Sequence, residues 1–203
     1  FRQIHSHPRI PQFRDLPDPV YVAPRAPRLV QTLPSIATDE PEHLPNDIVE
    51  PWKGAGAEMA WMGYDIDWSA VALFKSWSGL PDVPIQAFAI YKWQPGMLAK
   101  LPAPSIPFAL VINDESFTDE SIHELLRFEQ LAGLDLTSTR VSDAAVQALK
   151  SFKHLKWLNL QLTRVSDAGL VHLQEFPRLE ALNLAANGLT DVGLQHLAGM
   201  DNL

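Results

Sequence analysis

Apolar and polar positions recur every 24 residues over the second half of the chain. Three units share this period, at 131–154, 155–178 and 179–202, and a weaker unit at 107–130 precedes them in the same register. The units open with leucines in the spacing Leu-x-x-Leu-x-Leu and continue with apolar residues three and four apart, which predicts one strand and one helix per unit. A single unit exposes its apolar face, whereas stacked units bury it in a continuous core.

Each predicted helix starts at a hydroxyl residue followed by aspartate. Hydroxyl side chains are favoured helix N-caps, and a carboxylate in the first turn complements the helix dipole. We therefore predict a structural role for these pairs rather than a catalytic carboxylate cluster. The pairs are Thr118-Asp119, Ser142-Asp143, Ser166-Asp167 and Thr190-Asp191.

Side chains between the strand leucines point away from the core, because neighbouring residues of a strand alternate between its two faces. Residues one period apart then form columns on this outward face. The three columns are Ala109, Gly133, Trp157, Ala181; Val111, Asp135, Asn159, Asn183; and Asn113, Thr137, Gln161, Ala185. Lys156 and Glu180 occupy equivalent positions of adjacent strands, so we expect them to pair.

Trp157 stands alone as an aromatic residue among the small and amide side chains of these columns. Because tryptophan is enriched at binding hot spots, we predict that an exposed Trp157 anchors a partner. The polar contacts around it are predicted to come from Asp135, Asn159, Gln161 and Asn183. The alternative is that the indole lies flat on its small neighbours as a local lid without a ligand.

The pattern "LxxLxLxxT/N" followed by "xVSDAGLxxL" resembles a leucine-rich repeat of the short ribonuclease-inhibitor-like kind. "VSDAGLVHL" and "LTDVGLQHL" are similar to repeats of many bacterial proteins, planctomycete ones among them. The resemblance covers about residues 107–203. It implies an α/β solenoid with parallel strands on a concave face and helices on a convex face. It also implies a role in binding other proteins, which is the usual use of such repeats.

The first 50 residues contain nine of the 17 prolines, and proline disfavours both helix and central strand. We therefore predict an extended proline-rich arm over residues 1–50. Its apolar side chains have no core of their own, so either the rest of this chain or a partner is expected to hold them. The candidate contacts are Phe13, Leu16, Val20, Tyr21 and Leu29.

Residues 51–106 hold five of the six tryptophans, and we predict that they form a compact cap. Asp67 or Ser69 could cap helical pieces of this segment. A degenerate first repeat is an open alternative for its second part, where Phe88, Leu98 and Leu101 keep the phase of the repeats. An interfacial membrane segment is disfavoured, because the segment lacks a face of lysine and arginine.

Composition narrows the function classes. A formal charge of -8 and a pI near 5.3 disfavour nucleic acid or an anionic membrane as main partner, since both reward clustered positive charge. The absence of cysteine excludes thiolate chemistry and cysteine-ligated metals. His172 with His196, and His5 with His7, are pairs without a third ligand. With no hydrolase or phosphate-loop motif, we expect no enzyme activity, no metal and no cofactor.

The predicted function is a non-catalytic protein-interaction or structural subunit of a larger assembly, in which the arm docks along a partner and the repeats offer a recognition surface. One alternative is a free-standing receptor or effector domain. Another is an enzyme with a site in the tryptophan-rich segment around Asp65, Asp67 and Trp68. Partners are expected to be other protein subunits, and self-association is left open.

The start and the end of the sequence carry two further expectations. Because the chain starts at Phe1, either a signal or anchor has been removed or the chain is a fragment. We favour a periplasmic or membrane-associated location over a cytoplasmic one, with membrane contact only through partners or a removed anchor. At the other end, we expect either further residues beyond 203 or a partner to cover the last leucines. These leucines are Leu182, Leu184, Leu194 and Leu197.

Overall fold

A computed structural model describes residues 41–64, 71–74 and 84–203. The predicted arm contacts Phe13, Leu16, Val20, Tyr21 and Leu29 lie outside these residues, as do Asp65, Asp67, Trp68, Ser69 and Trp77. The described strands form one seven-stranded sheet in the order β2-β1-β3-β4-β5-β6-β7. They are β1 Glu58–Tyr64, β2 Val71–Phe74, β3 Ile85–Ile90, β4 Phe108–Ile112, β5 Leu131–Asp135, β6 Trp157–Asn159 and β7 Ala181–Asn183.

Strands β3 to β7 run parallel, and the register of the last four follows the predicted period. Gly133 of β5 pairs with Trp157 of β6, which pairs with Ala181 of β7. The two predicted columns that lie within the strands, which start at Ala109 and Val111, are therefore confirmed. The pairing of β3 with β4 departs from the period, since Phe88 pairs with Leu110. That spacing is two residues shorter than the repeat, so Phe88 is not in the predicted phase.

The N-terminal side of the sheet is an antiparallel extension. Strand β1 pairs antiparallel with both β2 and β3. Residues 71–74, which follow the possible helix caps Asp67 and Ser69, are therefore a strand and not the predicted helical piece. The alternation in β1 explains the strand. Met59 packs against the main core, whereas Met62 lies in a second cluster on the opposite face, which is the period-two pattern of a strand buried on both faces.

Helix α1, Asn46–Gly54, packs on the first strands of the sheet. The fully buried Trp52 stacks on Phe88 with ring centroids 4.2 Å apart and donates its indole N–H to the Pro102 carbonyl at 2.9 Å. The helix starts after the extended residue Pro45, a position where the missing amide donor costs little. Residues 46–50 therefore do not belong to an extended arm, and the predicted arm boundary at residue 50 is wrong.

The other helices begin where the hydroxyl-aspartate pairs predict. They are α2 Asp143–Leu149, α3 Asp167–Leu170 and α4 Asp191–Leu194, and the weaker unit has a 3-10 helix at Asp119–Glu124 instead. The side chains of Ser142, Ser166 and Thr190 each accept a hydrogen bond from the backbone N–H two residues later. The predicted N-caps of these three helices are therefore confirmed.

The aspartates of these pairs also join consecutive units. Asp143 accepts from Ser166 N at 2.7 Å and from Ser166 Oγ at 2.6 Å, and the equivalent bonds run from Ser142 to Asp119 and from Thr190 to Asp167. A Cβ atom at Gly169 would collide with Oδ1 of Asp143. The glycine therefore leaves room for the aspartate of the preceding unit.

The main core lies between the sheet and the helices and is continuous from α1 to the last unit. Its leucines are fully buried through the unit at 155–178, as Leu158 and Leu170 show. In the last unit the equivalent Leu182 and Leu194 are only partly buried. Among the described residues, no helix is long and apolar enough to cross a membrane.

Candidate interaction surface

The strand face, which is the surface of the sheet opposite the helices, divides into two parts. One part is apolar and buried, and we call it the covered half. It consists of Met62, Ala87, Ala89, Ala109, Val111 and Trp157. The other part carries polar side chains at and just beyond the ends of β5, β6 and β7, and we call it the polar band. It consists of Asp135, Asn159, Gln161 and Asn183, all half-buried.

Trp157 is not the exposed ring that the sequence predicts. Its side chain is 4% exposed and packs within the covered half. The prediction failed because Gly133, on the neighbouring strand, leaves a space that the indole fills from one side. The burial agrees with the alternative interpretation, in which Trp157 is a lid on its small neighbours.

Gly133 marks the closest approach within the covered half. A Cβ atom built there would lie 2.5 Å from Met62 Sδ, 3.0 Å from Ala109 Cβ and 3.2 Å from Trp157 Cε3. Strands β1 and β5 are three places apart in the sheet, which in a flat sheet would separate them by about 14 Å. A methionine side chain cannot span that distance, so the sheet must curl and bring β1 over the strand face.

The polar band contains two side-chain hydrogen bonds, each of which joins neighbouring units. Asn159 Nδ2 donates to Asp135 Oδ2 at 3.0 Å, and Asn183 Nδ2 donates to Gln161 Oε1 at 3.3 Å. The Asp135, Asn159 and Asn183 side chains each also accept from the backbone N–H two residues later. Four of the five predicted partner-binding residues therefore lie together, fixed by strand pairing and by turns.

Unused hydrogen-bonding capacity remains in the band. Within the described residues, Gln161 Nε2 makes no hydrogen bond, and Asn159 Nδ2 and Asn183 Nδ2 each use one of two hydrogens. Amide side chains carry both donors and acceptors. The band therefore offers a row of such groups at the spacing of adjacent strands, about 4.8 Å.

Asp135 lies where the band meets the covered half, and Val111 is its neighbour on β4. Burial raises the pKa of the Asp135 carboxyl, and the hydrogen bonds from Thr137 and Asn159 only partly oppose this effect. Among the described residues, it forms no ion pair with lysine, arginine or histidine. A donor or a cation brought against Asp135 would therefore stabilise its charged form.

Other sequence candidates have structural roles or stand alone. Lys156 and Glu180 form the predicted pair, with Nζ and Oε1 3.0 Å apart. His172 lies 3.7 Å from Glu175 Oε1, and within the part of the chain that the structure describes no three histidine or acidic side chains could hold a metal. The sequence analysis missed Met62 on the covered half, for which the period-two alternation of β1 was the available signal.

Two residues in the loops that follow the strands, Leu162 and Asn187, were also not predicted from the sequence. Leu162 is 51% exposed and has a positive φ of 54°. The sequence feature that could have revealed it is a large apolar residue where the neighbouring units have Ser138 and Ala186. Asn187 makes hydrogen bonds within its own unit and to the preceding unit. The sequence feature that could have revealed it is the change from threonine, present at the equivalent positions 139 and 163, to asparagine.

Comparison with known proteins is in line with this geometry. Residues 178–198 match the Leucine Rich repeat family, and this segment contains β7 and α4. A search of curated proteins finds no match for the chain. The matched segment is a leucine-rich repeat, a type of unit that generally binds proteins and is typically non-catalytic.

Proposed function

We propose that this chain is a non-catalytic interaction or structural subunit of a protein assembly, built as a leucine-rich-repeat solenoid from residue 107 onward. The polar band is its recognition surface, and the covered half is scaffold. The observation that carries the proposal is the unused hydrogen-bonding capacity of Asn159, Gln161 and Asn183 beside a buried apolar floor.

The chemistry of the band favours a partner segment in an extended conformation. Peptide groups that cross the strands would meet side-chain amides able both to donate to and to accept from them. An amide group that is covered by a ligand loses its hydrogen bonds to water, and this costs free energy unless the ligand supplies new hydrogen bonds. A purely apolar ligand would therefore bind the band poorly. A donor-bearing or cationic side chain is expected at Asp135, which carries the only formal charge of the band.

Trp157, predicted from the sequence as the anchor for a partner, is a structural residue in this proposal. As a buried side chain it does not anchor the partner, but it fills the space over Gly133 and forms the apolar border of the band. Hot-spot polar contacts surrounded by groups that exclude water are a common feature of interfaces. The indole therefore supports the adjoining strand ends, from which Asn159 and Gln161 project.

The proline-rich arm supplies a second contact with the same partner. Residues 1–38 carry five arginines and two aspartates, whereas residues 39–203 carry 11 basic and 22 acidic residues. Residues 1–38 of the arm are thus basic, whereas the rest of the chain is acidic. Phe13, Leu16, Val20, Tyr21 and Leu29 are the proposed apolar contacts. Replacing Phe13 and Leu16 by serine should weaken the assembly without lowering the melting temperature.

The test begins with the full chain, purified from its native cells at physiological salt, and with the identity and mass of what co-purifies. The purified partner is then added back, and hydrogen exchange is followed on the complex. We expect slower exchange at the ends of β5, β6 and β7 and unchanged exchange in α2. A monomeric chain without partner, or protection confined to the helices, would contradict the proposal.

A further inference from the structure

The side chain of Asn187 is held by four hydrogen bonds in the loop after β7. Its Nδ2 donates to the carbonyls of Leu160 at 2.6 Å and Leu184 at 3.0 Å. Its Oδ1 accepts from Thr163 N at 2.8 Å and lies 3.0 Å from Thr163 Oγ1, whose single hydrogen it shares with the Leu160 carbonyl at 2.8 Å. Both donors and both acceptor positions are thus occupied, and the side chain joins the last unit to the one before it.

The residue after Asn187 is glycine, which makes this position chemically different from the others. Of the six asparagines in the sequence, Asn187 is the one followed by glycine. Gly188 is exposed and has a positive φ of 67°. Because glycine has no side chain, no Cβ at Gly188 hinders the approach of its backbone nitrogen to Cγ of the Asn187 side chain.

We propose that Asn187-Gly188 is a site of spontaneous deamidation that the fold holds unreactive, and that the reaction opens the last unit irreversibly. The deprotonated backbone nitrogen of Gly188 attacks Cγ of Asn187, and a five-membered imide forms as the Cγ–Nδ2 bond breaks and ammonia leaves. Water then opens the imide at either carbonyl, giving aspartate or isoaspartate. The reaction consumes one water and needs no oxidant or reductant.

The four hydrogen bonds restrain the reaction in the folded chain. The attack requires the side chain of Asn187 to turn toward its own backbone, and this breaks its bonds to Leu160, Leu184 and Thr163. Reaction therefore proceeds only from molecules in which this loop has opened.

The product cannot restore the original contacts. A carboxylate has no hydrogen to donate, so the carbonyls of Leu160 and Leu184 would face a negative charge instead of an amide donor. Isoaspartate also lengthens the backbone by one atom. Each reacted molecule should therefore have a last unit, from β7 through α4, that opens more often. This inference stands independently of the partner and of the polar band.

The first measurement compares rates in the full chain at neutral pH and 37 °C. Peptide mapping follows the conversion of Asn187 in the folded chain and in the same chain held in denaturant. We expect reaction in the folded chain to be slower by about tenfold or more, because only the open fraction reacts. Equal rates in the two states would overturn the proposal.

A matched pair of variants tests the hydrogen bonds themselves. Thr163→Val removes the hydroxyl that donates to Asn187, whereas Thr139→Val removes the equivalent hydroxyl one unit earlier, which donates to Leu136 and does not touch Asn187. We expect faster deamidation in Thr163→Val than in Thr139→Val when each variant is incubated at the same number of degrees below its own melting temperature. The same rate in both would show that these bonds do not restrain the reaction.

Two further variants test the consequence. Asn187→Asp imitates one product, and hydrogen exchange at the amides of α4 should then speed up at least about threefold relative to the wild type. Asn187→Thr installs the residue of the two preceding units, so it should abolish the reaction and keep exchange close to the wild-type rate. Unchanged exchange in Asn187→Asp would show that deamidation does not open the unit, and that part of the proposal would fall.

Discussion

The two parts of the strand face are made by the same sheet but have opposite chemistry. In the covered half, alanines and a glycine of β3, β4 and β5 lie under Met62 and Trp157, and every member is buried. In the polar band, a carboxylate and three amides from the last strands are half-buried and only partly hydrogen-bonded. Strand pairing is continuous between the two.

This difference shows that a column of outward positions does not by itself define a binding surface. All four residues of the column at 109, 133, 157 and 181 belong to the covered half or contact it. The next column instead passes from Val111 in the covered half to Asp135, Asn159 and Asn183 in the polar band. What separates the halves is the curl of the sheet, which brings β1 over β5. The covered half should therefore control stability, and the polar band should control recognition.

Truncating Trp157 should have the largest effect on stability. We expect Trp157→Ala to lower the free energy of unfolding by about 3–5 kcal/mol, the usual cost of removing a buried aromatic ring. Chemical denaturation of the full chain measures this. Tyr91→Ala, which truncates a 50% exposed ring, serves as the control and should change stability by less than about 0.5 kcal/mol. Similar small effects for both would mean that Trp157 is not part of a packed half.

Filling the space at Gly133 should have the next largest effect. Gly133→Ala places a methyl group against Met62 Sδ and Ala109 Cβ, and we expect it to cost about 1–3 kcal/mol. The cost should shrink when Met62→Ala is also present, because the closest clash is then gone. Gly54→Ala is the control, since a Cβ there meets nothing within 4 Å. An equal cost of Gly133→Ala with and without Met62 would refute the proposed contact.

The free energy of unfolding should depend on pH through Asp135, which lies where the covered half meets the polar band. The pKa of Asp135 is raised in the folded chain, so the folded state binds its proton more tightly than the unfolded state. Its contribution to stability is then fully present below the ordinary value of about 3.9 and is lost as the pH rises through the folded pKa. The stability of the wild type minus that of Asp135→Asn should accordingly fall over this window. A difference that rises with pH would show that hydrogen bonds outweigh burial.

The pair between Lys156 and Glu180 should matter least. Both side chains are more than one third exposed, so a double-mutant cycle with alanine should give a coupling of about 0.2–1 kcal/mol. Salt at about 1 M should remove most of it. A larger coupling that resists salt would mean that the pair is shielded from solvent and belongs to the packed scaffold.

Much of the repeat architecture follows from sequence because it depends on local and periodic rules. The 24-residue register is confirmed at Gly133, Trp157 and Ala181, and the caps are confirmed at Ser142, Ser166 and Thr190. Alternation along a strand and hydroxyl capping act within one unit or between neighbours. The position of Asp135 beside Asn159 follows from the same rules.

The parts that sequence did not predict depend on contacts between distant residues. Trp157 is buried because Gly133 leaves space and because Met62, 95 residues before Trp157 in the sequence, packs in the same cluster. No period relates Met62 to the repeats. The residues of β1 suit either a helix or a strand locally, and their pairing with β3 decides the outcome. The loop residue Asn187 was visible as a variant of Thr163, but its bond to the preceding unit required the fold.

The central claim is that the polar band, and not the covered half, recognises the partner. The most direct measurement is the affinity of the purified partner for Gln161→Ala, with Gln147→Ala on the exposed side of α2 as the matched control. We expect Gln161→Ala to weaken binding about tenfold or more, a usual effect at an interface hot spot, while its melting temperature stays close to that of the wild type. Gln147→Ala should bind normally. Unchanged affinity in Gln161→Ala, or an equal loss in both variants, would contradict the claim.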